Sequence, residues 1–207
     1  MNQLPAVSVE VTDSIAIIRF NRPTERNPLS RAALLELKSI LAEVQVLDEA
    51  KAIVFTGAGD VFLSGANIRE LSALEPDTAL AFAELGQQIF KTIADAEQIT
   101  IAAINGYCMG GGLDLALACD IRVASETAVF SHPGARLGII TGWGGTQRLP
   151  RLIGRRAALD LLLTGRRIHA NEALDLGLIA EISEDPLQTA QSIARQSLAA
   201  PPSHSNS

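Results

Sequence analysis

The stretch from Ile99 to Asp120, ITIAAINGYCMGGGLDLALACD, constrains the fold of this chain more than any other part of it. It predicts a buried apolar strand that is joined to a helix through three consecutive glycines, Gly110, Gly111 and Gly112. Glycine lacks a Cβ, so its backbone can adopt positive φ values and can approach a ligand closely. The first N–H groups of a helix lack partners within the helix and lie at its positive end. The junction is therefore suited to hold an oxygen that gains negative charge.

Close packing between the helix and the strand is the alternative explanation for these glycines. A glycine within a helix costs about 1 kcal/mol relative to alanine, and packing seldom needs three in a row, so we favour an anion-stabilising role. Asp114 follows in the first turn of the helix. It is either an acid or base in catalysis or a solvated carboxylate at a helix start. The segment matches neither the dinucleotide-binding glycine pattern nor a P-loop.

A second turn of small residues, FLSGANIRE from Phe62 to Glu70, also runs into a predicted helix. Alone, such a turn is a common loop. Together with the triple glycine, it can supply a second backbone N–H to one oxyanion. Two donors that polarise one carbonyl define a site for acyl chemistry.

A third segment, from His132 to Arg148, is again rich in glycine. His132 could be a general base, but a single histidine beside a proline is more often structural, and we favour that interpretation. Trp143 either lines a pocket or fills the core. Ser64 and Ser131 have no convincing histidine and aspartate partners, so the sequence does not support a nucleophilic triad.

Composition and charge exclude several classes of partner. The 207 residues suffice for one sizeable core. The net charge is −6 without any run of basic residues, so nucleic acid and anionic membranes are not expected partners.

No signal peptide or membrane span is visible in the sequence. Cys108 and Cys119 are expected to be buried free thiols, which favours a cytoplasmic protein. The three histidines form no cluster spaced for a metal, so no metal site is expected.

Strands alternate with helices along the chain, which predicts an α/β protein with buried strands. We expect a hairpin over Val7–Phe20, a helix capped by Ser30, and a helix opened by Pro76 whose apolar stripe is Leu80, Ala83, Phe90 and Ile93. Asp185 and Pro186 predict the start of a last helix. No linker divides the chain, so residues 1–200 are expected to be a single domain and residues 201–207 a disordered tail.

These segments resemble the crotonase superfamily, the enoyl-CoA hydratase/isomerase family. The resemblance covers nearly the whole chain and rests on five segments: FNRPTERNPLS, FLSGANIRELSAL, AAINGYCMGGGLDLALACDIRVAS, FSHPGARLGIITGWGGTQRLPRLIG and LTGRRIHANEALDLGLIAEI. It implies a spiral of ββα repeats, with a shortened helical region at the C-terminal end. It also implies an acyl-CoA substrate, no tightly bound cofactor, and a homo-oligomer, either a trimer or a hexamer.

The resemblance assigns roles to particular residues. The two oxyanion donors would be the backbone N–H groups of Ala66 and Gly111. The coenzyme A part of the substrate would contact Ala66, Asn67, Ile68 and Arg69, with Arg26 and Arg22 as further candidates for its phosphates. In the family's hydratases two glutamates handle the water and the proton. Their positions are Asp114 and Gly134 here, so one acid is shortened and the other is absent.

The expected function is therefore the addition of water to a 2-trans-enoyl-CoA through a stabilised thioester enolate, with Asp114 as the acid and base. The aspartate that other subfamilies carry in the later loop is Gly142 here, which does not support those subtypes. Two alternatives stay open. One is an isomerase or thioester hydrolase that works with one carboxylate, and the other is a non-catalytic acyl-CoA-binding homologue.

Overall fold

A computed structural model describes residues 5–199 of the chain. Within this range the chain forms twelve strands: β1 (Val7–Thr12), β2 (Ile15–Phe20), β3 (Pro28–Leu29), β4 (Ala52–Gly57), β5 (Val61–Leu63), β6 (Gly65–Ala66), β7 (Ile99–Ile104), β8 (Tyr107–Met109), β9 (Ile121–Ala124), β10 (Val129–Ser131), β11 (Ile168–His169) and β12 (Glu181–Ile182). The tail predicted for residues 201–207 lies outside the described residues.

The same range forms eight α-helices: α1 (Arg31–Gln45), α2 (Ile68–Ser72), α3 (Pro76–Ala94), α4 (Gly111–Ala118), α5 (Gly145–Ile153), α6 (Arg155–Thr164), α7 (Ala170–Asp175) and α8 (Pro186–Ala199). Two short 3-10 helices cover Pro23–Glu25 and Pro133–Leu137. No helix in the described part of the chain is both long and apolar enough to cross a membrane.

Three successive ββα units form the framework. In each unit the first strand joins a six-stranded sheet of order β1-β2-β4-β7-β9-β12, and the second joins a four-stranded sheet of order β11-β10-β8-β5. The pairs are β4 and β5, β7 and β8, and β9 and β10. Strands β2, β4, β7 and β9 are parallel. The chain therefore has the predicted α/β fold with buried strands.

Local sequence explains where these elements begin and end. Asp13 and Ser14 both have positive φ (52° and 62°), the backbone of a two-residue turn between antiparallel β1 and β2. Ser30 accepts a hydrogen bond from the Ala33 N–H and caps α1, as predicted. Asp185 accepts one from the Gln188 N–H at the start of α8.

The core lies between the sheets and the helices. Every residue of β4 is buried, and so is every residue of α4 from Gly112 to Ala118. Cys108 and Cys119 are buried and free, which confirms the prediction for both thiols. The site helix α4 is thus enclosed by protein on all sides, which holds it firmly in place.

The stripe predicted for α3 is wrong at Leu80, which is 63% exposed. The buried face consists of Phe82, Gly86, Ile89, Phe90 and Ile93. Residue 80 precedes residue 82 by two positions, which places it about 200° around the helix and on the opposite side. The single domain expected for residues 1–200 stays a prediction.

Candidate active site

One backbone conformation and two close contacts explain the triple glycine. Gly110 has φ +50°, which favours glycine. A Cβ on Gly111 would lie 2.4 Å from the Trp143 ring, and a Cβ on Gly112 would lie 2.5 Å from the backbone oxygen of Leu63. Close packing, the alternative explanation, therefore accounts for both Gly111 and Gly112, whereas the positive φ accounts for Gly110.

The two turns expected to carry the oxyanion donors meet in the structure. Gly65 has φ +93°, and a Cβ on it would lie 3.0 Å from the backbone nitrogen of Gly111. A Cβ on Gly111 would in turn lie 3.6 Å from the backbone nitrogen of Ala66. Ala66 is held in place by strand pairing, since β6 pairs with β3 and Ala66 lies opposite Leu29. Gly111 opens α4, where its N–H has no partner one turn earlier.

Asp114 lies in the first turn of α4 and is only 1% exposed. The Thr141 hydroxyl donates a short hydrogen bond to its Oδ2. Its Oδ1 lies 3.3 Å from Nε2 of His132, which is also buried. Both of these atoms are buried without a hydrogen-bond partner among the described residues. The alternative of a solvated carboxylate is therefore excluded for Asp114.

His132, which the sequence favours as a structural residue, lies beside Asp114, a contact that the sequence did not predict. It follows β10 directly, and β10 is parallel to β8, with Ser131 opposite Met109. The residues after the two strands are therefore neighbours, which places His132 beside the start of α4. The order of the two strands in one sheet is the signal that could have found this contact, but it depends on tertiary pairing that one sequence does not reveal.

Burial controls the protonation of both side chains. It raises the pKa of Asp114 to about 7, although the Thr141 hydrogen bond and the positive charge of Arg148 act in the opposite direction. It also lowers the pKa of His132 to about 4. Near neutral pH the histidine is therefore uncharged, and the carboxyl group exists in both protonation states.

Asp114 also lines an apolar pocket of about 240 Å³. The other lining residues are Ala66, Leu71, Leu74, Ala79, Phe82, Ala83, Ile139, Ile140, Thr141, Gly142 and Trp143. The Trp143 ring packs against Phe82 and Phe90, with centroid distances of 5.3 and 5.6 Å. Trp143 thus fills the core and lines the pocket, so both interpretations of it hold.

The five residues expected to contact coenzyme A line one open cleft of about 510 Å³. They are Arg26, Ala66, Asn67, Ile68 and Arg69. The Arg26 guanidinium lies over the Tyr107 ring, 4.9 Å from its centroid. Asn67 caps α2, because its Oδ1 accepts hydrogen bonds from the N–H groups of Arg69 and Glu70. Arg22 is not among the residues that line this cleft, and its guanidinium donates to the carbonyls of Pro5 and Asn21.

Main-chain atoms surround Gly134, the position at which the resemblance implies the second acid of the hydratases. Gly134 lies in the 3-10 helix after β10, and its carbonyl accepts a hydrogen bond from the Ile139 N–H. A Cβ on Gly134 would lie 2.6 Å from the carbonyl oxygen of Ile139. The main chain at Ile139 therefore occupies the space that the side chain of any other residue at position 134 would need.

The opposite pKa shifts of Asp114 and His132 predict opposite effects of pH on folding stability. From about pH 4 to pH 7 the folded state holds more protons at Asp114 than the unfolded state does, so rising pH destabilises it. From about pH 4 to pH 6.5 it holds fewer protons at His132, so rising pH stabilises it. In the wild type the two contributions largely cancel.

Single variants should expose these contributions. As the pH rises from about 4 to 7, we expect the unfolding free energy of Asp114→Asn to rise by about 4 kcal/mol relative to that of the wild type. The unfolding free energy of His132→Gln should fall by about 3 kcal/mol relative to the wild type over the same pH range. Urea unfolding at several pH values measures both, with the exposed His169→Gln as control. Parallel pH dependence in the two variants would contradict the prediction.

The chain is similar to known proteins over nearly its whole length. Residues 10–207 match the enoyl-CoA hydratase/isomerase family. The short-chain-enoyl-CoA hydratase of Clostridium acetobutylicum is 38% identical over 197 residues, which are 94% of this chain and 76% of that protein. The crotonyl-CoA hydratase of Syntrophomonas wolfei is 40% identical over 177 residues, 85% of this chain and 68% of that protein.

Solved structures agree with this relationship. The crystal structure of an enoyl-CoA hydratase from Bacillus anthracis superposes with a TM-score of 0.89 and 37% identity, covering 92% of this chain and 76% of that one. DspI from Pseudomonas aeruginosa superposes with a TM-score of 0.91 and 32% identity, covering 98% and 84%. With its ββα units and two adjoining glycine turns, the chain belongs to the enoyl-CoA hydratase/isomerase family.

Proposed function

We propose that this protein adds water to a 2-trans-enoyl-CoA, with Asp114 as the acid and base and the N–H groups of Ala66 and Gly111 as oxyanion donors. The observation that carries the proposal is the buried carboxyl group of Asp114, which lines an apolar pocket beside the two glycine turns. Family membership and the names of the related hydratases support the same reaction.

The proposed reaction begins at the thioester carbonyl. Two backbone donors that bind its oxygen draw electron density from the conjugated double bond, which makes the β-carbon electrophilic. Ionised Asp114 takes a proton from water while the water oxygen bonds to the β-carbon, and the double-bond electrons move into a thioester enolate. Asp114 then returns the proton to the α-carbon, so that one water is added overall. A carboxyl group whose pKa is about 7 suits both steps.

A second candidate function is favoured by the absence of a carboxylate at Gly134. An isomerase moves a proton between the α- and γ-carbons of an enoyl thioester, which one base can do alone. In deuterated buffer, deuterium at the γ-carbon without a gain of water would favour isomerisation. Water addition to crotonyl-CoA would favour the hydratase.

The decisive experiment mixes the purified protein with crotonyl-CoA. Loss of the ultraviolet absorbance of the enoyl thioester and formation of 3-hydroxybutyryl-CoA are the expected results. Release of free coenzyme A thiol from a saturated acyl-CoA would instead indicate a thioester hydrolase. Tight binding of acyl-CoA without any turnover would leave only a binding protein and would overturn the proposal.

The cleft residues should affect substrate binding rather than chemistry. Arg26 and Arg69 line the cleft that would hold coenzyme A, so we expect Arg26→Ala and Arg69→Ala each to raise KM about 3- to 10-fold with little change in kcat, as for lost surface ion pairs. Arg155, an exposed residue of α6, provides the control Arg155→Ala. An equal fall in kcat and kcat/KM would contradict this assignment.

Assembly into a trimer or hexamer and a cytoplasmic location belong to the same proposal. They rest on the family resemblance and, for the location, on two buried cysteines that are both unpaired. Sedimentation equilibrium of the full chain tests the assembly, and a monomer at micromolar concentration would contradict it.

A further inference from the structure

We propose that His132 is a positioning residue that shares a single proton with Asp114, so that the two side chains act as one acid and base unit. The inference rests on the proposed function, because that function gives Asp114 both proton steps. It extends that function by naming a partner that the family's pair of glutamates does not include.

The first support is the contact itself. His132 Nε2 and Asp114 Oδ1 are 3.3 Å apart, both are buried, and neither has another hydrogen-bond partner among the described residues. The second carboxyl oxygen is already held by Thr141. Nε2 therefore has Oδ1 as its nearest polar atom, and the Trp143 and Gly145 N–H groups also act on the Asp114 carboxylate, without a well-formed hydrogen bond to Oδ1.

The second support is energetic. An unpaired buried polar atom costs about 1–3 kcal/mol, so a hydrogen bond between these two atoms is favourable. A neutral histidine with its hydrogen on Nε2 can donate to the ionised carboxylate. The other tautomer, with its hydrogen on Nδ1, can accept from the protonated acid. When Asp114 is protonated, the Nε2 hydrogen passes to the carboxylate and Nδ1 takes one proton from solvent, so that the histidine is neutral in both end states.

The third support is the absence of a side chain at Gly145, next to Asp114 and His132. A Cβ on Gly145 would lie 2.1 Å from Asp114 Oδ1 and 3.0 Å from His132 Nε2. Gly145 does not have a positive φ, so its backbone conformation does not require glycine. A Cβ there would also lie 2.9 Å from Thr141 Cγ2, so glycine at the start of α5 leaves room for Asp114 together with both of its neighbours, His132 and Thr141.

Few other groups face the pair. Arg148 of α5 acts on the charge of Asp114, as do the backbone N–H groups of Trp143 and Gly145, and all of them favour the ionised form. The thiol of Cys108 in β8 is the other titratable neighbour, and burial raises its pKa well above the ordinary value, so it stays protonated. Burial also lowers the pKa of His132, in keeping with a histidine that stays neutral.

Nitrogen NMR of the histidine rings tests the inference directly. The chain has only three histidines, so the His132→Gln variant identifies the signals of His132. Between about pH 5.5 and pH 8.5, we expect the ring nitrogens of His132 to exchange hydrogen-bearing and acceptor roles as Asp114 titrates. This pH-dependent change in the nitrogen shifts, the NMR step, should disappear in Asp114→Asn. Nitrogen shifts that stay constant in the wild type, or that change equally in Asp114→Asn, would overturn the inference.

Kinetics provide a second readout. We expect His132→Leu to lower kcat by about 10- to 100-fold with little change in KM, the size expected for a lost hydrogen bond to a charged group, and to move the midpoint of the pH profile of kcat. His132→Gln, which keeps a donor and an acceptor, should recover part of the loss, and His169→Gln should resemble the wild type. An unchanged pH profile in His132→Leu would also overturn the inference.

The hydration assay and the NMR experiment distinguish a failure of the proposed function from a failure of the shared proton. If the wild type does not hydrate crotonyl-CoA but the NMR step is present, the proposed function is wrong and the shared proton stands. If hydration occurs and the NMR step is absent, the shared proton is wrong and the hydratase stands. The NMR arm does not depend on the stability of His132→Leu, since it uses the wild type and Asp114→Asn.

Discussion

Replacing Asp114 with asparagine is expected to lower kcat for crotonyl-CoA hydration by about 10²- to 10⁴-fold, the usual effect of losing a positioned acid or base. KM should change little, because the pocket keeps its shape and the amide can still accept the Thr141 hydrogen bond. Steady-state rates at pH 7 with purified protein provide the measurement.

The control for this change is Asp48→Asn, which removes an exposed carboxylate that does not line the pocket. It should retain the wild-type rate. Thermal unfolding followed by circular dichroism shows whether Asp114→Asn is folded at the assay temperature. A folded Asp114→Asn protein that hydrates crotonyl-CoA at the wild-type rate would show that Asp114 does not carry the proton chemistry.

Replacing Gly111 with alanine is expected to lower kcat by about 10²- to 10³-fold, as for the loss of one oxyanion donor. The new Cβ would lie 2.4 Å from the Trp143 ring, which is a rigid group wedged between Gly111 and Gly86. Either the ring or the start of α4 must move. Overpacking of this kind also destabilises the fold by about 1–3 kcal/mol.

A double-mutant cycle separates these effects. Trp143→Leu removes the ring that meets the new methyl group, so Gly111→Ala combined with Trp143→Leu should be less damaged than the sum of the two single variants predicts. Strictly additive losses in kcat and in stability would show that the ring does not transmit the effect of Gly111→Ala.

Much of the fold could be predicted from the sequence, because the apolar runs and helix caps that the sequence shows are also the ones that tertiary packing uses. The run from Ile99 to Ile104 is apolar except for Thr100 and forms strand β7, which is buried from Thr100 onward. Ser30 and Asp185 cap helices where their side chains predict it. The stripe of α3 failed at Leu80, because apolar character alone does not say which side of a helix meets the core.

The candidate site, like the fold, could be predicted from the sequence only in part. The two glycine turns and Asp114 could be located from the sequence, since glycine runs and an acid in a helix start have few explanations. The contact of Asp114 with His132 and Thr141 could not, because 18 and 27 residues separate these partners from it and only the pairing of β8 with β10 and the path of the later loop bring them together.

The closed loop at Gly134 has an evolutionary consequence. Its Cβ position is 2.6 Å from the Ile139 carbonyl, so a glutamate placed there by one mutation would collide with main chain before its carboxyl group could reach the pocket. A side chain at position 134 therefore requires the segment from Gly134 to Ile139 to change its path first. Natural variation thus has more scope to alter the surroundings of Asp114 than to add a carboxylate at this position.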